Sequence, residues 1–320
     1  MVAKGYHQQP GVDFTETYSP VIKPITIHAV LSLAVSAGWV MKQIDVSNAF
    51  LHGNLTETVY MSQPPGFVHP QFPTAVCELK KAIYGLKRAP RAWFSRLSTR
   101  LLDLGFVSSK SDSSLFIYKS SGITLLALVY AYDIIFTGSD STSIDQLIKV
   151  LSEDFPIKEL GNLNFFLGIE VTQIPNGIHL SQQRYISDIL RRTNMDLSKS
   201  ITSPMAASSP LSKYSSVSLT DPTTYRSTVG ALQYLSITRS NISFAVNKVS
   251  QFMHNPRDTH WSAIKRILRY LKHSITHGLV IRRSSSSQLT AYSDANWAGC
   301  PDDRKSTSGY CVFFGQNLIS

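Results

Sequence analysis

Cysteine is scarce in this chain: three in 320 residues, at Cys77, Cys300 and Cys311. An odd number, widely spaced and with no His or Cys at metal-ligand intervals, excludes a disulfide framework and a zinc site and suits a reducing compartment. No apolar run reaches the ~18 residues that a membrane-spanning helix needs, so no membrane partner is expected. The opening Met1-Val2-Ala3-Lys4-Gly5 is not followed by an apolar stretch, which excludes a secretory signal peptide. Internal repeats are absent. Acidic residues are few, 21 against 31 lysines and arginines, and the formal charge of +10 favours a polyanionic partner.

What remains is a chain with 43% hydrophobic residues, enough for a packed core and for more than one domain. Both ends are abrupt, the second at Ile319-Ser320 inside an apolar β-like run, and the expectation is a piece of a longer polyprotein. Residues 1–25 are polar and turn-rich. Helical spacing predicts a helix over Thr26–Ala37, with Ile27, Val30, Leu31, Ala34 and Val35 on one face and Gly38 ending it. Trp39–Val46 reads as a strand that delivers Asp45. Short β segments are expected over 55–79, a helix over Trp93–Leu104, another over Ser143–Phe155, strands at 164–172 and 177–180, and a basic-faced helix over Gln182–Arg192. Residues 198–222, rich in Ser and carrying Pro204, Pro210 and Pro222, read as a linker. A helical block follows from Tyr225 to Ser274, in which Lys265, Arg266, Arg269 and Lys272 face away from an apolar stripe. Two strands, Leu289–Asp294 and Tyr310–Phe314, come last.

The chemistry-bearing pattern lies at Tyr130-Ala131-Tyr132-Asp133, set between Ile123-Thr124-Leu125-Leu126-Ala127-Leu128-Val129 and Ile134-Ile135-Phe136-Thr137-Gly138. Two β-branched apolar runs joined by a tight turn predict a β-hairpin with its acid at the tip. Asp45, at the end of its own apolar strand, is by itself better explained as a cap or turn residue. The second carboxylate far along the chain raises it, because two-metal nucleotidyl transfer needs carboxylates from separate strands around ions about 4 Å apart. Lys80, Lys81, Lys87, Arg88 and Arg91 are interleaved with Tyr84 and Trp93, the composition of a nucleic-acid track or of a solvated basic face.

Taken in order, the motifs resemble the copia-type reverse transcriptases of long-terminal-repeat retrotransposon polyproteins. The likeness rests on Lys4-Gly5-Tyr6-x-Gln8, Asp45-Val46-x-Asn48-Ala49-Phe50-Leu51-His52-Gly53, Gln63-Pro64-Pro65-Gly66-Phe67 and the run from Leu79 through Tyr84-Gly85 and Pro90 to Trp93. It continues through Phe165-Phe166-Leu167-Gly168-Ile169-Glu170-Val171, Arg269-Tyr270-Leu271-Lys272 and Tyr292-Ser293-Asp294-Ala295-Asn296-Trp297-Ala298-Gly299. The resemblance implies an α+β right-hand polymerase with fingers, palm and a partial thumb over 1–195. A linker over 196–224, a helical connection over 225–285 and an incomplete ribonuclease H-like α/β domain over 286–320 would follow.

It also implies roles. Asp45 would bind both of two Mg²⁺ ions, and Phe50 would lie under the sugar of the incoming deoxynucleoside triphosphate and exclude a 2′-OH. Tyr84 and Gly85 would pack beside nucleotide and template, and Lys4 would approach the triphosphate. Lys80, Lys81, Lys87, Arg88 and Arg91 would follow the RNA template and DNA primer. Asp294 would be the first acid of a ribonuclease H remnant without activity, Asp302 and Asp303 forming a solvated turn. A cytoplasmic, virus-like particle is the location the family suggests.

One position departs from the pattern. The family carries Asp-Asp at the hairpin turn, and position 132 here is Tyr, leaving Asp45 and a secondary Asp133. A phenol with a reference pKa near 10 is neutral at working pH and does not replace a carboxylate beside cations. A one-residue slip that brought Asp133 inward would have to reverse the register. The expectation is an impaired polymerase, with a non-catalytic nucleic-acid-binding remnant or an unstable gene fragment as alternatives.

Overall fold

A computed structural model describes residues 2–206, 211–214 and 216–320. The architecture is mixed α and β, in two compact units, Met1–Leu163 and Asn164–Ser320. In the first, Pro24 opens α1 (Pro24–Ala37), where a missing N–H costs nothing, and Gly38 closes it in the left-handed region at φ 70°. Next come β1 (Val40–Val46), β2 (Asn54–Ser62), β3 (Val76–Lys81), α2 (Ala89–Asp103), β4 (Val107–Ser108), β5 (Leu115–Ser120), β6 (Ile123–Tyr130), β7 (Asp133–Gly138), α3 (Ser141–Asp154) and β8 (Ile157–Asn162). Helix α2 begins four residues before the apolar spacing predicted. Pro90 sits in its first turn, where proline is at home, and so extends the helix ahead of the apolar spacing.

The main sheet has the order β4-β5-β6-β7-β1-β8. Its central hairpin, β6 and β7, is buried on both faces, which is why the two strands are continuous apolar runs without alternation. Asp140 caps α3 by accepting the Ser143 N–H at 2.7 Å, and Ile144, Leu147, Ile148 and Leu151 then fall on the face turned to the core. That core joins Ile44, Val46, Trp93, Leu97, Leu101, Phe116, Ile134 and Phe136. A satellite cluster of Ala82, Ile83, Leu86 and Ala89 holds the alternating face of the β2–β3 hairpin through Leu55, Val59, Met61 and Leu79.

The second unit contains β9 (Phe165–Phe166), β10 (Ile169–Ile174), β11 (Gly177–Ser181), α4 (Gln183–Arg192), α5 (Thr223–Tyr234), α6 (Ser243–Ser250), α7 (Asp258–His273), β12 (Leu279–Arg282), β13 (Leu289–Asn296), β14 (Thr307–Phe314) and β15 (Asn317–Leu318). Strands pair as β12-β11-β10-β9 and, separately, as β13-β14-β15. The four helices share one apolar cluster built on Ile186, Val229, Leu232, Val246, Ile264 and Leu268. The basic face of α7 holds chain rather than water. Arg266 donates to Ser203 Oγ at 2.7 Å, Arg269 to the Lys199 carbonyl at 2.5 Å and Lys272 to the Ser198 carbonyl at 2.8 Å. The early part of the Ser/Pro-rich segment is thus tied to a helix, while 207–210 and 215 lie outside the described residues.

His260 fixes the start of α7. Its Nδ1 accepts the Arg257 N–H at 3.1 Å, which leaves the proton on Nε2, 3.1 Å from the Ser212 carbonyl, and the ring stacks on Phe252 at 3.8 Å. Burial, followed by the opposing effect of the Ser212 bond and then by Arg257 and Asp302, leaves this imidazole below its ordinary pKa. A group whose folded pKa is depressed contributes stability that is whole above its unfolded value of about 6.5 and is lost as pH falls below it. The urea midpoint of the second unit's transition is therefore expected to fall between pH 7.5 and 5.5. A His260→Gln variant, weaker at pH 7.5, should show a smaller fall over that range; an equal fall would remove His260 from the explanation.

Candidate active site

Strand β1 lies between β7 and β8, and its end carries the centre of the site. In the antiparallel register Asp45 stands opposite Asp133 on one side and Lys158 on the other. Directly opposed residues share a face of the sheet, so two carboxylates and an ammonium occupy one rung. Gln43, two residues earlier on β1 and buried, hydrogen-bonds the Asp133 carboxylate. Burial first, and the Asp45 charge second, hold the Asp133 acid above the usual carboxylate range, against the lowering effect of Gln43. The residue across from Asp45 is thus Asp133, the carboxylate expected to be secondary. Lys158 and Gln43 were not legible beforehand, because only the pairing of distant strands brings them there.

The hairpin turn has two residues, Ala131 and Tyr132, between the paired Tyr130 and Asp133. Ala131 takes a left-handed φ of 49°, a conformation that costs an L-residue ~1–2 kcal/mol. The Trp93 indole N–H donates to its carbonyl at 2.7 Å, and the Val46 N–H donates to the Tyr132 carbonyl at 3.0 Å. The tip is therefore fixed by its backbone. The Tyr132 side chain, 42% exposed, sets its ring edge-on to Phe50 with centroids 6.5 Å apart. Phe50 in turn packs on Tyr84 at 4.8 Å. Phe50 occupies a short 3₁₀ helix, Ala49–His52, directly after β1.

Gly85 needs to be glycine. It sits at φ +92°, and a Cβ there would stand 2.1 Å from the Ala3 carbonyl oxygen. The N-terminal segment crosses this loop, with the Ala3 N–H donating to the Tyr84 carbonyl at 2.7 Å and the Lys87 N–H to Gln8 Oε1 at 2.8 Å. That crossing places Lys4 on the wall of a cavity of about 670 Å³, with Gln8, Tyr60, Met61 and Leu79. Three of the five cations predicted to meet nucleic acid are paired within the chain: Lys80 with Glu78, Arg88 with Glu57 and Arg91 with Glu16. Lys81 and Lys87 are exposed, and among the described residues neither forms an ion pair.

Asp294 lies exposed on β13 opposite Gly309, its carboxylate accepting the Ala295 N–H. Asp302 is engaged by Ser212 and Lys213, and Asp303 by Lys305. No three of these acids converge, and among the described residues no group of three or more His, Cys, Asp or Glu side chains is arranged to hold a metal. Asp45 and Asp133 alone suit one hard divalent cation, which would also offset the Asp45 charge that, after burial, raises Asp133.

Residues 1–207 match the family model of reverse transcriptase (RNA-dependent DNA polymerase). The chain belongs to this family. It is 52% identical over its full length to the retrovirus-related Pol polyprotein from transposon RE1 of Arabidopsis thaliana, and equally so to that from transposon RE2 of the same plant. It is 37% identical, again along its whole length, to the Pol polyprotein from transposon TNT 1-94 of Nicotiana tabacum. The chain spans 22% of each Arabidopsis relative and 25% of the tobacco one. Membership of a copia-type retrotransposon family thus rests on the whole length of the chain and not on one motif.

Proposed function

We propose that this chain is the RNA-directed DNA polymerase part of a retrotransposon polyprotein, with a nucleotidyl-transfer site impaired by Tyr132. The observation that carries the reading is the single rung of Asp45 and Asp133 beneath a hairpin tip that presents a phenol where the family has a carboxylate. In this reading residues 1–195 supply fingers, palm and partial thumb, residues 225–285 a helical connection, and residues 286–320 the start of a ribonuclease H-like domain. A bound Mg²⁺ would activate the primer 3′-OH and neutralise the triphosphate. The protein groups do the rest: Asp45 and Asp133 hold the cation, Phe50 excludes a 2′-OH, and Tyr84 with Gly85 bounds the nucleotide. Lys4 would draw in the triphosphate, and Lys81 and Lys87 the template–primer. A cytoplasmic particle is the setting this reading implies.

The Tyr132 ring, leaning on Phe50, would also occupy space needed by a second ion. A second reading, a binding remnant without catalysis, is favoured by the same residue, since loss of one ligand leaves the exposed cations untouched. Primer extension on an RNA template with Mg²⁺ separates the two, comparing the chain with Tyr132→Asp. Extension by the variant alone supports the proposal. Equal extension by both removes Tyr132 as the lesion, and silence from both, with both folded, leaves the remnant.

A further inference from the structure

The face of α2 turned toward β2, away from the buried Trp93, Leu97 and Leu101, carries a second polar site. A cavity of about 320 Å³ lies between these elements, lined among others by Thr56, Arg88, Arg91, Ser95, Arg96 and Thr99. Three arginines face one carboxylate there, that of Glu57. Arg88 is committed to Glu57 and to Thr56 Oγ1 at 3.2 Å, and Arg91 to Glu16 and the Tyr18 carbonyl. Arg100, one turn beyond Arg96 on the same helix, is committed to Asp154. Arg96 is the exception: among the described residues it forms no ion pair, although it stands one and three residues from the hydroxyls of Ser95 and Thr99 that share its cavity.

We propose that this cavity is a phosphate-binding site that seats a phosphodiester of a bound nucleic-acid strand, with Arg96 as its charged anchor and Ser95 and Thr99 as hydroxyl donors, the Thr56 hydroxyl being taken up by Glu57. A guanidinium fork matches two phosphate oxygens at once, and neutral hydroxyls complete such a site without adding repulsion. A carboxylate ligand would fit less well, because Glu57 already fills the carboxylate geometry at Arg88. The local field agrees: burial, then the charges of Lys81 and Arg96, keep His52 below its ordinary pKa. Lys81 stands opposite Asn54 across the β2–β3 pair, and Asn54 lines the same cavity, so a second cation borders it. The inference rests on the proposed polymerase reading for its ligand, though not on catalysis.

The test is fluorescence anisotropy of a labelled single-stranded oligonucleotide with the full chain, without divalent cations, across a salt series. Arg96→Gln is expected to weaken binding roughly three- to tenfold at low salt and to lower the slope of log affinity against log salt by about one. Lys149→Gln, the same loss of charge at an exposed position of α3, should leave affinity and slope close to the parent's. Because Arg96 is exposed, its replacement leaves the core intact, which a melting curve checks. Parent-like affinity and slope in Arg96→Gln would overturn the proposal. So would calorimetry in which Arg96→Gln loses inorganic phosphate yet keeps the oligonucleotide, since the site would then take free phosphate and not a strand. A parent chain that shows no salt-dependent binding at all would overturn the polymerase reading along with it.

Discussion

Adding Asp45→Asn to the Tyr132→Asp variant is expected to abolish the primer extension gained by the single change, a loss of at least about 10²-fold. Asn keeps the shape of the side chain and the strand pairing of β1 but removes the charge that a divalent cation needs. The same change should let Asp133 ionise more easily, because the Asp45 carboxylate directly opposite it contributes to the elevation of its acid. Two readouts therefore move together. Extension disappears, and Mn²⁺ affinity followed by calorimetry falls, while the melting temperature stays near that of the single variant. A double variant that extends primers as well as Tyr132→Asp does would remove Asp45 from the site.

The largest stability effect is expected at Trp93, which is 1% exposed, packs edge-on to Phe155 with centroids 5.2 Å apart and holds the Ala131 carbonyl. Trp93→Ala should cost ~3–5 kcal/mol in the unfolding of the first unit, through lost burial and the cavity left behind. Trp93→Phe keeps much of the ring packing and loses chiefly the hydrogen bond to a strained residue, so about 1–2 kcal/mol is expected. Urea unfolding followed by far-ultraviolet circular dichroism gives both values. If neither variant loses more than about 1 kcal/mol, the indole does not hold the tip.

Much of the scaffold was legible because it is local. The spacing of Ile27, Val30, Leu31 and Ala34, with Gly38 after them, specifies α1, and the two β-branched runs around Tyr130-Ala131-Tyr132-Asp133 specify the hairpin. What escaped the sequence depends on pairing over long separations. Asp45 and Asp133 meet because β1 lies beside β7, and nothing within either segment states that register. Lys158 reaches the rung through β8 in the same way. Arg96 could not be told from Arg91 or Arg100 by spacing, since what distinguishes it is that carboxylates from other elements reach those two and not the third. The Ser/Pro composition of 198–222 reads as a linker, and the side chains that fasten its start belong to α7, some seventy residues away.

The way the hairpin tip is held has a further consequence. Its fixed points are main-chain carbonyls, those of Ala131 and Tyr132, gripped by an indole and by the neighbouring strand. The side chain at position 132 takes no part in that grip, so exchanging an acid for a phenol there changes the chemistry and spares the fold. Cellular quality control recognises unfolding, through exposed core and open backbone, and has no means of reading a missing metal ligand. On the proposed reading, a copy impaired at this position would persist as a folded protein and compete for template instead of being cleared.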